Sequence, residues 1–197
     1  MARSGGGAPG MDSCYTYFAR AFSVFAAHAE DHNLPSINQL VFGAPKVWLV
    51  VPPRDFARAT AALREGVRAK ALPACPQAVA HKLALPSLAL LRAAGVGVRL
   101  LVQRQGDLVI TAPGAVHFGI NCGDNVAEST NVADGDWLSS GALREHRALG
   151  ACCCKRSNAW SLTPRTLLEP RVVRGAVADA RVAADFGLAG AALKDMC

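Results

Sequence analysis

Ile37-Asn38-Gln39-Leu40-Val41-Phe42-Gly43-Ala44-Pro45-Lys46-Val47-Trp48-Leu49-Val50-Val51-Pro52-Pro53 is the stretch on which the fold turns. Its first six residues alternate roughly as a half-buried strand does. Gly43-Ala44-Pro45 makes a turn, and Lys46 to Val51 reads as a buried strand that the Pro52-Pro53 pair must end, since proline cannot donate to a ladder. Outward from it the pattern repeats. Before it stand Tyr15 to Phe18 and an extended piece from Phe22 through Ala26–Asp31. After it, Leu100–Gln103 and Asp107–Thr111 flank a Gln105-Gly106 turn, Pro113-Gly114 makes another, and Val116–Ile120 and Asn125–Val132 complete the strands. Between Arg54 and Ala71 the period changes: Phe56, Ala59, Leu63 and Val67 recur at helical spacing, which predicts a surface helix. Leu85–Ala94, residues 137–150 and the Ala-rich residues 176–194 also read as helical. Many short strands with Gly/Pro punctuation and added helices predict a mainly β, α+β chain built on a small barrel or jelly roll.

Composition sets outer limits. Hydrophobic residues are 51% and charged residues 18% of 197, enough to bury a core and too few charges for wholesale disorder. No strict glycine period or long heptad run is present. The longest strongly apolar run, Val47 to Val51, falls far short of the ~20 residues that cross a bilayer, and the start has no apolar segment of a secretory signal. Net charge is +6 from 21 basic and 15 acidic residues. That favours an acidic or chromatin partner without establishing one, because the arginines are scattered. Seven cysteines with no export signal point to a reducing interior and a metal site rather than a disulfide framework.

Two constellations carry chemistry. His28-Ala29-Glu30 places an imidazole and a carboxylate two residues apart, on one face of an extended chain. His117, far along the sequence and straight after the Pro113-Gly114 turn, offers a second imidazole. Together they form a two-His, one-carboxylate set of the kind that leaves positions on Fe(II) open. Taken alone this spacing is weak, and surface or internally satisfied histidines fit it too. Lys46 sits in an otherwise apolar strand and calls for an anionic partner, such as a ligand carboxylate, unless it reaches water at a barrel end. Asn38 and Thr111 are polar in two other candidate strands and either hydrogen-bond the same ligand or are satisfied locally. The second constellation, Cys75-(x5)-His81 with Cys152-Cys153-Cys154, holds the thiolates and imidazole of a tetrahedral zinc set.

Phe25 through Trp48, with its His28-Ala29-Glu30 and Phe42-Gly43-Ala44-Pro45-Lys46, resembles the iron-binding segment of the Jumonji C (JmjC) Fe(II)/2-oxoglutarate oxygenases. So does Gly106 to Asn121, continuing through Asn125-Val126-Ala127-Glu128-Ser129-Thr130-Asn131. The resemblance spans roughly residues 15–156, and within the family the chain is most similar to the subfamily 4 histone lysine demethylases. It implies a double-stranded β-helix (jelly roll, cupin-like). It implies His28, Glu30 and His117 as iron ligands and Asn38 and Lys46 as 2-oxoglutarate contacts. Phe25 and Thr111 would line that pocket, and Trp48 would pack near it. Tyr17, Ser129, Thr130 and Asn131 would surround the methylated lysine, the Ser129-Thr130 pair favouring trimethyl-lysine. Cys75, His81, Cys152 and Cys154 would hold Zn(II).

The implied activity is O2-dependent oxidative removal of methyl groups from histone H3 lysines with release of formaldehyde, by a nuclear monomer that meets nucleic acid only through chromatin and no membrane. A JmjC hydroxylase of another side chain, or a degenerate zinc-stabilised chromatin-binding protein, are the alternatives. The organisation expected is a disordered Gly-rich start at 1–12, a catalytic barrel at 13–150 with a helical insert at 54–94, and a zinc-binding segment with helical tail at 151–197. The family's earlier 2-oxoglutarate tyrosine and its JmjN segment would precede residue 1, which implies an N-terminally truncated chain. Departures from the family pattern are Ala27 and Gln39, where aromatics are common, and the extra thiol of Cys153.

Overall fold

The computed structural model describes residues 13–67, 75–82, 84–133 and 135–149. The expected Gly-rich start at 1–12 and the C-terminal segment 151–197, with Cys152 and Cys154, lie outside the described residues.

The strands are β1 (Tyr15–Ala19), β2 (Val24–His28), β3 (Ser36–Gly43), β4 (Lys46–Val51), β5 (Arg99–Gln103), β6 (Leu108–Thr111), β7 (Val116–Asn121) and β8 (Asn125–Asn131). They form two four-stranded sheets with orders β1-β8-β3-β6 and β2-β7-β4-β5, every pairing antiparallel. First strand beside eighth, second beside seventh: this nesting is the jelly roll that the punctuated strands predict. The deciding stretch folds as read, β3 and β4 being separated only by Ala44 and Pro45. They do not pair with each other. The chain crosses from one sheet to the other there, and Gly43, at φ +99°, makes the crossing because an added Cβ would stand 2.4 Å from the Asp124 carbonyl oxygen.

Helices α1 (Phe56–Val67), α2 (Leu88–Ala93), α3 (Gly135–Ser139) and α4 (Ala142–Ala148) complete the fold. α1 is shorter than the 54–71 reading at its start, where Pro53–Asp55 form a 3-10 turn. It buries Phe56, Ala59 and Leu63 on the apolar side of β2 and β7, in a core with Ala27, Val51, Val116 and Phe118. Each large side chain so buried contributes about 1.5–3 kcal/mol. Its start is tied down by Asp55, which pairs with Arg58 and accepts from the Gly97 amide at 3.0 Å. α2 begins only at Leu88, because Ser87 caps it through Leu90 N–H (3.2 Å). The single helix expected over 137–150 is two, broken at Ser140-Gly141 by the left-handed Gly141 (φ +77°). Among the described residues no helix is long and apolar enough to cross a membrane.

One buried amide joins the two sheets. Gln103, 1% exposed, accepts from Trp48 Nε1 at 2.9 Å and donates to the Asn38 carbonyl at 3.0 Å and to Asn38 Oδ1 at 3.2 Å. Replacing it with leucine keeps the volume and leaves the Trp48 N–H and Asn38 acceptors buried without partners. Each such group costs about 1–3 kcal/mol, so thermal melting of Gln103→Leu should show a clear loss of stability. A melting temperature equal to wild type contradicts this account of Gln103.

Candidate active site

β2 and β7 lie antiparallel with His28 directly opposite His117, so both rings project from one sheet face, their centroids 4.3 Å apart. β2 ends at His28. Glu30, expected on that strand, stands just past it on backbone that is still extended (φ −63°, ψ 156°), and so its carboxylate returns to the same face. Its Oε1 is 3.4 Å from His117 Nε2. One donor atom from each of the three residues lies within 4.8 Å of the others. His28 Nδ1 is 2.7 Å from the Ala26 carbonyl and His117 Nδ1 is 3.0 Å from that of Ala115. A carbonyl only accepts, so each Nδ1 carries the hydrogen and each Nε2 is left to ligate. Two oriented imidazoles and one carboxylate from two segments fit a facial set on a divalent cation such as Fe(II).

These donors open into a cavity of about 400 Å³ lined from both sheets. Lys46, 6% exposed, lies in its wall, and among the described residues no carboxylate pairs with it. Burial holds its ammonium below the usual lysine range. Phe25 packs edge-on to Trp48 (4.7 Å), and Trp48 stacks toward His117 (5.7 Å). Phe25 fits because its strand partner is Gly119, where an added Cβ would come within 2.4 Å of the Phe25 ring and 2.1 Å of the Val47 carbonyl. Asn38, Tyr17, Ser129, Thr130 and Asn131 also line the cavity. Thr111 does not. It is buried and accepts from the Ser36 backbone amide at 3.0 Å; the two hydroxyls share a hydrogen bond at 2.7 Å, and Ser36 itself lines the cavity. Antiparallel pairing sets Ser36 directly opposite Thr111.

Burial, then the neighbouring His117 and Lys82, lowers the His28 pKa to about 3. Burial alone would raise the Glu30 carboxyl, but His117 beside it, then His28 and Lys82, outweigh that and hold it below the ordinary range. Burial and the nearby Glu30 push the Tyr17 phenol up, so it remains a hydroxyl. Without metal, His28 refuses a proton that the unfolded chain accepts near pH 6.5. The folded state therefore has its full advantage above that pH and loses it as pH falls toward 3. Chelator-stripped protein should melt at progressively lower temperature from pH 7 to pH 5, with Glu30 acting in the same direction at lower pH. A flat profile contradicts the burial of His28.

Sequence reasoning missed Lys82, Asp31, Ser36 and Asn121, which line the same cavity. Lys82 is left-handed (φ 52°) at the end of a 3-10 turn in the insert, and the insert reaches β2 through Ala27 N–H to the Ala84 carbonyl (2.7 Å). Cys75 Sγ and His81 Nε2 stand 3.3 Å apart. The other half of the expected zinc set lies outside the described residues.

The family model described as "JmjC domain, hydroxylase" matches residues 15–132. The chain belongs to the JmjC family. It is 39% identical over 145 residues to "Lysine-specific demethylase JMJ703" of Oryza sativa subsp. japonica, covering 72% of this chain and 11% of that protein. It is 36% identical over 141 residues to "Probable lysine-specific demethylase 4F" of Homo sapiens, covering 72% and 22%. With "Lysine-specific demethylase 4B" of Mus musculus it shares 34% over 147 residues, covering 75% and 13%. The chain thus spans between about a tenth and a quarter of the length of these JmjC relatives.

Proposed function

We propose that this JmjC chain is a histone lysine demethylase domain dependent on Fe(II) and 2-oxoglutarate, removing methyl groups from H3 lysines in the nucleus. The observation that carries the reading is the His28, Glu30, His117 set facing one cavity, with Lys46 buried in its wall and paired with no carboxylate among the described residues. Fe(II) would supply O2 activation, with 2-oxoglutarate as the co-reductant that leaves as succinate and CO2. The protein's own residues do the rest. Both histidines present Nε2 because backbone carbonyls hold Nδ1–H. Lys46, buried in the cavity wall, neutralises the distal carboxylate of the diacid. Asn38, fixed by Gln103, offers polar contact to the same molecule. Phe25 and Trp48 wall the site with apolar ring surface.

Tyr17, Ser129, Thr130 and Asn131 form the opening on the other sheet, where oxygen atoms can surround a quaternary ammonium through weak C–H···O contacts. Hydroxylation of an N-methyl group needs no nitrogen lone pair, so trimethyl-lysine is a chemically accessible substrate, and the hydroxymethyl product breaks down to formaldehyde. The same reading assigns Cys75 and His81, with Cys152 and Cys154, to structural zinc. The observed 3.3 Å separation suits two donors on one tetrahedral ion.

The test is incubation with Fe(II), 2-oxoglutarate and a trimethyl-lysine H3 peptide. Succinate and formaldehyde in equal amounts, with loss of methyl mass from the peptide, are expected. A stable oxygen addition would make the chain a JmjC hydroxylase instead, and no succinate at all would leave a binding protein.

A further inference from the structure

The segment that carries Glu30 into the cavity is strained and is held from outside it. Immediately after Glu30 the chain makes a 3-10 turn, Asp31–Asn33, closed by Asn33 N–H to the Glu30 carbonyl at 2.8 Å. Within it His32 (φ 55°, ψ 22°) and Asn33 (φ 54°) are both left-handed. Two successive non-glycine residues in that region are costly and persist only where surroundings impose them. Here the surroundings are α3 and α4. Trp137, 2% exposed on α3, donates Nε1–H to the His32 carbonyl at 3.1 Å. Asn33, 1% exposed, donates its side-chain amide to the Ala142 carbonyl at the start of α4 at 3.0 Å. The rings of His32 and His146 meet at a tilt, their centroids 5.0 Å apart. Asn33 also abuts Gly114 of the turn that leads into β7 and His117. One bracket therefore fixes the turn beside one donor and touches the turn ahead of another, though none of its residues faces the ion position.

We infer that Trp137 and Asn33 are positioning residues for the metal centre: the α3–α4 bracket holds the Glu30 carboxylate in register with the two imidazoles. The inference rests on the proposed metal-centre reading and extends it to residues that sequence motifs do not mark. Outer partners of a ligand commonly set metal affinity by 10–100-fold. Trp137→Phe keeps the ring in its pocket and deletes only the N–H. Asn33→Gly keeps the left-handed backbone, which glycine adopts freely, and deletes only the amide.

The experiment titrates the metal-stripped full chain with Mn(II) alone, following the signal of the free ion, beside thermal melting of each variant. Leu63→Val on α1 serves as a control for general core loss, since Leu63 belongs to the cluster behind β2 and β7 that contains none of the bracket residues. Both bracket variants should bind Mn(II) at least roughly tenfold more weakly than wild type. Leu63→Val should lose melting temperature and bind normally. Wild-type affinity in both bracket variants, or an equal loss in Leu63→Val, overturns the inference. A wild-type chain that takes up no Mn(II), or a Glu30→Ala chain that binds as wild type does, instead overturns the metal-centre reading, and the inference with it.

Discussion

His117→Ala is expected to abolish Fe(II)-dependent 2-oxoglutarate turnover while leaving a folded chain. His117 is 2% exposed on the central strand β7, its Nδ1–H is held by the Ala115 carbonyl, and its Nε2 is 3.4 Å from Glu30. Alanine removes one of three donors and leaves Glu30 without the imidazole 3.4 Å away. The loss in metal affinity should exceed the 10–100-fold that follows removal of a mere outer partner. The ladder to β2 and β4 is backbone and survives the change. The check is a pair of measurements: succinate release, and melting by circular dichroism. Iron-dependent turnover persisting in a folded His117→Ala protein removes His117 from the proposed site.

Lys46→Met has the second largest expected effect, and its sign differs between two states. In the ligand-free protein Lys46 is a buried cation with no paired carboxylate among the described residues. An uncompensated buried charge opposes folding, so an apolar side chain of similar length should leave the apo protein as stable as wild type or more so. Binding of 2-oxoglutarate should move the other way. Losing one partner of a buried charged pair costs about 2–5 kcal/mol, which is roughly 30-fold to several-thousand-fold in dissociation constant. Calorimetric titration with the diacid and a melting curve read both signs. Unchanged affinity for 2-oxoglutarate in Lys46→Met contradicts the anchoring role.

The strand–turn–strand stretch was legible because its alternation and its Gly/Pro punctuation are local, and two sheets follow once eight such strands must hide their apolar faces. The pairing of His28 with Glu30 was legible for a reason that needed amending. The period-2 argument assumed a strand through Glu30, whereas β2 stops at His28 and extended backbone alone preserves the direction. Which of Ser36 and Thr111 lines the cavity is not legible, because side-chain polarity does not say which of two paired hydroxyls faces the opening. Lys82 was invisible, since its approach depends on how the insert folds back onto β2, and nothing local in a lysine after a histidine records that. Gln103 reads only as the end of a strand. Its part in joining Trp48 to Asn38 is a long-range contact between sheets with no sequence period. The bracket of Trp137 on the turn at 31–33 is of the same kind, and the break at Gly141 that makes it possible lay inside what reads as one helix.

The most direct measurement is an anaerobic calorimetric titration of the metal-stripped full chain with Fe(II), run on wild type and on Glu30→Ala. The account predicts one saturable site in wild type that disappears in Glu30→Ala, and tighter binding in wild type when 2-oxoglutarate is present. Equal uptake by the two proteins, or no saturable uptake by wild type, would contradict it.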